Sequence, residues 1–244
     1  MIDRTVPGAF TVGLDLGQAA DFSALCVIEH VAQLPPGMTS HAHRVHLVSA
    51  LADAVRVFQV RSLKRWPLGT PYTVVAKDVS AVLASPALRG RSSLLYDATG
   101  VGRGVGDLLY QEYREHSRIS LYPPTPVTIT QQSKADMVST TMLAFEQGRL
   151  QIAAGLPLGD ALRSELLRFQ QNIRPSGSTS YDIPRTEDGH GDLASALMVG
   201  LFWNDWVPGR DLIRLVDGPP LPVDAAPDGR DQRNDMRYKS ASFE

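Results

Sequence analysis

Cysteine is almost absent: Cys26 is the only one in 244 residues, which excludes an intramolecular disulfide. It lies in the apolar run Ala24-Leu-Cys-Val-Ile28 and reads as core. No hydrophobic stretch approaches the length of a membrane span, and the N-terminus lacks a signal-peptide pattern. The expected compartment is therefore the cytoplasm, with no membrane partner. An excess of either charge is missing as well, since 24 Lys and Arg against 26 Asp and Glu leave a formal net charge of −2. The whole molecule is thus no electrostatic magnet for nucleic acid, and any such affinity has to come from a local patch or a partner. There is no internal repeat and no Walker-type ATPase motif. The run Thr99-Gly-Val-Gly-Arg-Gly-Val-Gly106 lacks a Gly-Lys-Ser/Thr ending, and its order does not fit the dinucleotide fingerprint. It reads as a turn that lets the backbone pass close to a site. His41, His43 and His46 have no cysteine beside them, which argues against zinc there.

What is present suits one substantial core: 43% of the residues are hydrophobic and 20% charged. We read a lead-in over residues 1–9, one folded domain over 10–207, and a tail over 208–244. The tail is dominated by Gly, Pro, Asp and Arg and is expected to be disordered. Residues 10–17 and 22–31 read as two strands joined by a tight hairpin. Residues 43–50 read as a third, which 55–60 continue or re-pair. Thr70-Pro71 reads as a hydroxyl N-cap followed by a first-turn proline, opening a helix that Pro86 ends. A strand over 92–97, a helix over 102–116 and an extended, proline-broken stretch over 119–130 follow. Ser133 to Asp136 has capping-box spacing and opens a helix that stops at Gly148. A short strand over 150–153, an amphipathic helix over 158–173, a hairpin or mobile loop over 174–189 and a buried helix over 192–206 complete the domain. Hairpin-linked strands first, then alternating helix and strand, predict an α/β fold: a mixed sheet with helices on both faces.

Three aspartates stand out in this frame. Asp15 lies in Gly13-Leu-Asp-Leu-Gly17, within the first apolar strand. Asp97 ends the strand Leu94-Leu-Tyr-Asp97 and precedes Ala-Thr-Gly-Val-Gly102. Asp192 lies in Gly189-His-Gly-Asp-Leu193 and opens the last, almost wholly apolar helix. A carboxylate in a core-like setting is costly unless it is paired or binds a cation. Each has a plain structural role too: Asp97 as cap of its turn, Asp192 as a first-turn residue favoured by the helix dipole. These roles are compatible with metal binding. Asp21 reads as a turn residue, and Asp107, Asp136 and Glu165 as solvated or capping positions. Hard carboxylate oxygens suit Mg²⁺ or Mn²⁺. Two such ions about 3.5–4 Å apart serve an in-line displacement at phosphorus.

An acid in the first strand, one ending the fourth and one opening a late helix resembles the ribonuclease H-like nuclease fold. The three motifs, with Trp66-Pro-Leu-Gly-Thr-Pro-Tyr72, resemble the C-terminal nuclease domain of tailed-phage large terminase subunits over roughly residues 10–206. The resemblance implies a ribonuclease H-like mixed sheet and a metal-dependent endonuclease that cuts concatemeric double-stranded phage DNA during genome packaging. Asp15, Asp97 and Asp192 match the family's metal-binding acids, with two Mg²⁺ or Mn²⁺ ions expected and Asp15 between them. The family often has two consecutive acids after the histidine. Here the first of those positions is Gly191, which removes one ligand and weakens the second ion's site. His190 is expected to orient a water or contact the scissile phosphate. Lys134, Arg174 and Arg185 are expected to contact the DNA backbone. The missing ATPase motif implies that the nuclease works beside a packaging ATPase domain or subunit. The small terminase and the portal are further implied partners, in the cytoplasm of a host cell. Two other readings stay open: an ATP-dependent phosphotransferase of actin-like fold, and a packaging module that kept the fold and lost activity. A Holliday-junction resolvase is another nuclease of the same fold.

Overall fold

The computed structural model describes residues 5–17, 21–36, 54–116, 119–173, 179–184 and 191–202. The expected strand over 43–50 and the tail over 208–244 lie outside them. The elements are β1 (Thr5–Asp15), β2 (Ala24–Gln33), β3 (Val55–Arg65), α1 (Tyr72–Leu83), β4 (Ser92–Asp97), α2 (Gly102–Glu115), β5 (Thr125–Val127), α3 (Gln131–Glu146), β6 (Leu150–Ile152), α4 (Gly159–Leu167), β7 (Gln170–Ile173), β8 (Thr179–Asp182) and α5 (Asp192–Leu201). Six strands form one sheet in the order β5-β4-β1-β2-β3-β6, and β7 and β8 form a separate hairpin. The pairs β1/β2 and β2/β3 are antiparallel, whereas β1/β4, β4/β5 and β3/β6 are parallel. This is the α/β mixed sheet that the order of elements predicts.

Alternation along the strands sends successive side chains to opposite faces. On one face Phe10, Val12, Leu14 and Leu16 of β1 pack with Leu25 and Val27 of β2 and Leu94 and Tyr96 of β4. Val75, Val79 and Leu83 of α1 and Val105 and Leu109 of α2 cover them. On the other face Ala24, Cys26 and Ile28 of β2 meet Leu193, Ala194 and Leu197 of α5, with Leu162 of α4 and Ala144 of α3. Cys26 is fully buried there, as its apolar flanks predict. Helices therefore cover both faces, and α5 lies directly on the central strands.

Four local expectations change. Thr70 does not cap α1: its hydroxyl donates to the Pro67 carbonyl, and the N-cap is Pro71, without a side-chain cap. The capping box of α3 sits one turn earlier than predicted, between Thr130 and Ser133, so the helix starts at Gln131. The helix expected over 158–173 stops at Leu167, and Gln170–Ile173 pairs with Thr179–Asp182 instead. Phe169 keeps its inward place by packing on Tyr181, ring centroids 6.4 Å apart. The helical spacing of the apolar residues was real, but pairing with β8 claims the backbone hydrogen bonds after Leu167. In β1 the strand starts at Thr5 rather than Phe10, because β2 runs on to Gln33 and pairs with it across a bulge.

Candidate acidic site at the strand ends

Parallel pairing of Leu14 with Tyr96 sets Asp15 and Asp97 side by side one step further on, at the carboxyl ends of β1 and β4. The same lateral row continues through Ala24, the antiparallel partner of Asp15, to Arg65, the partner of Ala24. Laterally paired residues share a face. Asp97, Asp15, Ala24 and Arg65 thus form one row across four strands, and Ala24 is fully buried against the start of α5.

Asp192 comes to this row because α5 lies on the backbone of β1. A Cβ at Gly13 would stand 1.9 Å from the Ala196 carbonyl oxygen and 2.5 Å from the Gly200 nitrogen. Only a glycine permits that approach. It brings the start of α5 over the end of β1, and Asp192, the first helical residue, is buried at 4% exposure. The helix has no side-chain N-cap of its own, since its N-cap residue is Gly191 with φ +85°. The acceptor is supplied from α4 instead: Glu165 Oε2 takes the Ala194 N–H at 2.9 Å. The other carboxylate oxygen of Glu165 binds Arg65, whose guanidinium lies 3.9 Å from Asp192 Oδ2 and over the ring of Phe22.

The electrostatics follow from this crowding. Burial, and then the charges of Asp97, Asp192, Asp21 and Glu165, push the Asp15 carboxyl well above the usual carboxylate range. Burial raises Glu165 as well, against the opposing pull of the Ala194 N–H and Arg65. Like charges gathered in a poorly hydrated place favour the protonated acid unless a cation arrives. The donors are all carboxylate oxygens, which is the chemistry a hard divalent ion takes. Among the described residues, however, no group of three His, Cys, Asp or Glu side chains stands ready to hold a metal ion.

Asp97 plays its turn role: Oδ1 accepts the Thr99 N–H at 2.7 Å. The Thr99 hydroxyl in turn accepts the Ile129 N–H at 3.0 Å, which ties the approach to α3 to the turn after Asp97. Lys134 lies in the first turn of α3, the helix that follows this tie. The segment after Asp15 is held at Gly17, whose N–H reaches Ser23 Oγ at 3.2 Å and whose carbonyl accepts the Tyr72 hydroxyl at 2.7 Å. Trp66 of the same Trp66–Tyr72 stretch is buried and donates to Asp78 at 2.8 Å.

The structure thus brings Asp97 and Asp192 each into electrostatic reach of Asp15. His190, Arg174 and Arg185 lie outside the described residues. Of the two roles the sequence offered Glu165, solvated or capping, it takes the second, but at 2% exposure and on a helix other than its own. Sequence reasoning passed over Arg65 and the effect of Asp21 on Asp15. The spacing of Leu162 and Leu166 around Glu165 placed that acid on the inward side of α4, which was the available signal.

No family model and no curated protein matches the sequence. Solved structures do match. The large terminase nuclease from thermophilic phage G20c with bound magnesium superposes with a TM-score of 0.52 at 18% identity, over 80% of each chain. The large terminase nuclease domain of Thermus phage P74-26 gives 0.51 at 16%, over 79% of this chain and 78% of that one. The human cytomegalovirus terminase nuclease domain, soaked with manganese, gives 0.50 at 10%, over 82% of this chain and 84% of that one. The chain has the ribonuclease H-like α/β fold of these large terminase nuclease domains.

Proposed function

We propose that this chain is a divalent-metal-dependent endodeoxyribonuclease that cuts double-stranded phage DNA concatemers during genome packaging. The observation that carries the reading is the gathering of Asp15, Asp97 and Asp192, from three separate elements, at the strand ends of this fold. Ligands of open α/β sheets bind outside those ends. Asp15, Asp97 and Asp192 would hold Mg²⁺ or Mn²⁺, two ions being the expected number. When bound, the metal supplies charge stabilisation at the phosphate and an activated water.

The protein's own residues prepare the site. Asp15, central in the row and on a rigid strand, gives up its proton before it can serve as a ligand. Metal binding is therefore expected to release a proton and to strengthen as pH rises. Lys134 draws a backbone phosphate toward the first turn of α3, with Arg174 and Arg185 as the further DNA contacts and His190 beside the scissile phosphate. The near-neutral net charge accords with a nuclease that needs a packaging ATPase domain or subunit to present the DNA. The small terminase and the portal are the further partners of this reading.

The test is incubation of the protein with supercoiled plasmid in Mg²⁺, Mn²⁺ or EDTA, with Asp97→Ala and Asp15→Ala as paired controls. Metal-dependent nicking and linearisation, lost in both variants, is the expected result. Unchanged cutting by a folded Asp15→Ala protein would sink the carboxylate site. Saturable binding of Mg²⁺-ATP by calorimetry, with no cutting, would favour a phosphotransferase instead.

A further inference from the structure

Arg65 and Glu165 lie on elements far apart in the chain, the end of β3 and the middle of α4. Both are buried or nearly so, with side-chain exposures of 13% and 2%. A buried pair is no stability device in itself, because desolvation offsets its attraction. Its position is more informative. One Glu165 oxygen binds Arg65, and the other takes the N–H of Ala194, the third residue of α5. That is the hydrogen bond an N-cap side chain ordinarily accepts, and Gly191 has none to offer. The same Arg65 guanidinium stands 3.9 Å from Asp192 Oδ2 and 5.3 Å from the centroid of the Phe22 ring. Sheet, α4 and the first turn of α5 therefore meet through two side chains, and the residue they enclose is Asp192.

We propose that the Arg65–Glu165 pair is a positioning brace of the acidic site: it fixes the first turn of α5 and orients Asp192 toward Asp15. The inference rests on the nuclease reading for its purpose, but on the hydrogen-bond geometry for its existence. Glu165 acts through Asp192 rather than on the phosphate. Arg65 also places one fixed positive charge beside the buried carboxylates of Glu165 and Asp192. Groups that hold a metal ligand in place typically alter metal affinity about 10–100-fold when removed.

A double-mutant cycle of Arg65→Met and Glu165→Gln tests it. Mn²⁺ alone is titrated into wild type and variants by calorimetry, and plasmid cleavage is measured with kcat and KM separated. The expected result is folded variants whose Mn²⁺ affinity falls by about tenfold or more. Cleavage should show kcat lowered with KM for DNA unchanged, and the double variant should be no worse than either single one. Unchanged Mn²⁺ affinity in folded variants, or fully additive losses, would overturn the brace. A wild-type protein that neither binds Mn²⁺ nor cuts would overturn the nuclease reading instead. Amide exchange at Ala194, measured without metal, then decides the brace alone. Exchange should speed up in Glu165→Ala and stay slow in Glu165→Gln, which keeps an acceptor. No change in Glu165→Ala overturns it.

Discussion

At the scale of single residues, the acidic site is a place where stability and function oppose each other. Asp15 carries a charge that burial and four neighbouring carboxylates disfavour. Asp15→Asn keeps the shape and removes that charge. The metal-free variant is expected to melt higher by about 2–4 °C, corresponding to ~1 kcal/mol in a domain of this size. Cutting should be lost in the same protein, and thermal melts in EDTA beside plasmid assays check both halves. The sign of the pH dependence follows as well. An acid whose folded pKa lies above its unfolded one holds more protons in the native state between the two values. Stability therefore falls as pH rises through that window. Asp15 and Glu165 both shift this way, so metal-free protein should melt higher at mildly acidic pH than at neutral pH. The difference should shrink in Asp15→Asn.

Gly191 shows how the local backbone limits which residue can stand beside Asp192. Its φ of +85° lies in the left-handed region, and a Cβ there would stand 2.4 Å from Ile183 Cδ1. Adding a further acid here, by Gly191→Asp, is expected to destabilise the protein by about 2 kcal/mol or more without raising activity. Chemical denaturation and plasmid cleavage read the two effects. Gain of cutting with unchanged stability would contradict this account of the position.

At the scale of elements, the register of α5 on β1 decides whether the three acids meet. Gly13→Ala places a methyl where the Ala196 carbonyl now lies, so the helix has to lift from the strand. A loss of about 3 kcal/mol or more is expected, with weaker Mn²⁺ binding in whatever fraction stays folded. Denaturant midpoints and calorimetry check this. A second junction joins β4 to α3 through Thr99, which takes its own N–H to Asp97 and accepts that of Ile129. Thr99→Val removes the hydroxyl acceptor and is expected to destabilise by about 1 kcal/mol. DNA affinity should fall with it if Lys134 reads the phosphate, whereas Mn²⁺ affinity should hardly change.

At the scale of the whole molecule, an acidic centre in a protein of near-neutral charge should respond more to divalent ions than to DNA. Mg²⁺ or Mn²⁺ in excess of its dissociation constant should raise the melting temperature by mass action: about 2.7 kcal/mol at a hundredfold excess. EDTA should reverse the shift. Asp97→Ala and Asp192→Ala should abolish it, and the metal-free Asp97→Ala protein should melt somewhat lower than wild type because the Thr99 N–H loses its acceptor. Duplex affinity without a partner should be weak and fall steeply with salt. Tight binding at physiological salt would argue against a partner that presents the DNA.

The chain's own pattern was enough for the strands around the acids, because the continuous apolar run Ala24 to Ile28 and the bounded run Ser92 to Asp97 fold much as local preference asks. It was also enough to nominate Asp15, Asp97 and Asp192, since carboxylates in apolar settings are conspicuous without any fold. Three-dimensional packing decided the rest. The helix over 158–173 was cut short because β7 found a partner in β8, which no local periodicity records. The role of Glu165 stayed hidden because the N–H it caps belongs to Ala194, on another helix. Arg65 stayed hidden because its place in the row depends on two successive strand registers. Periodicity reports which face a residue occupies; which distant group stands opposite depends on long-range contacts, and these exist only once the sheet and α5 are assembled.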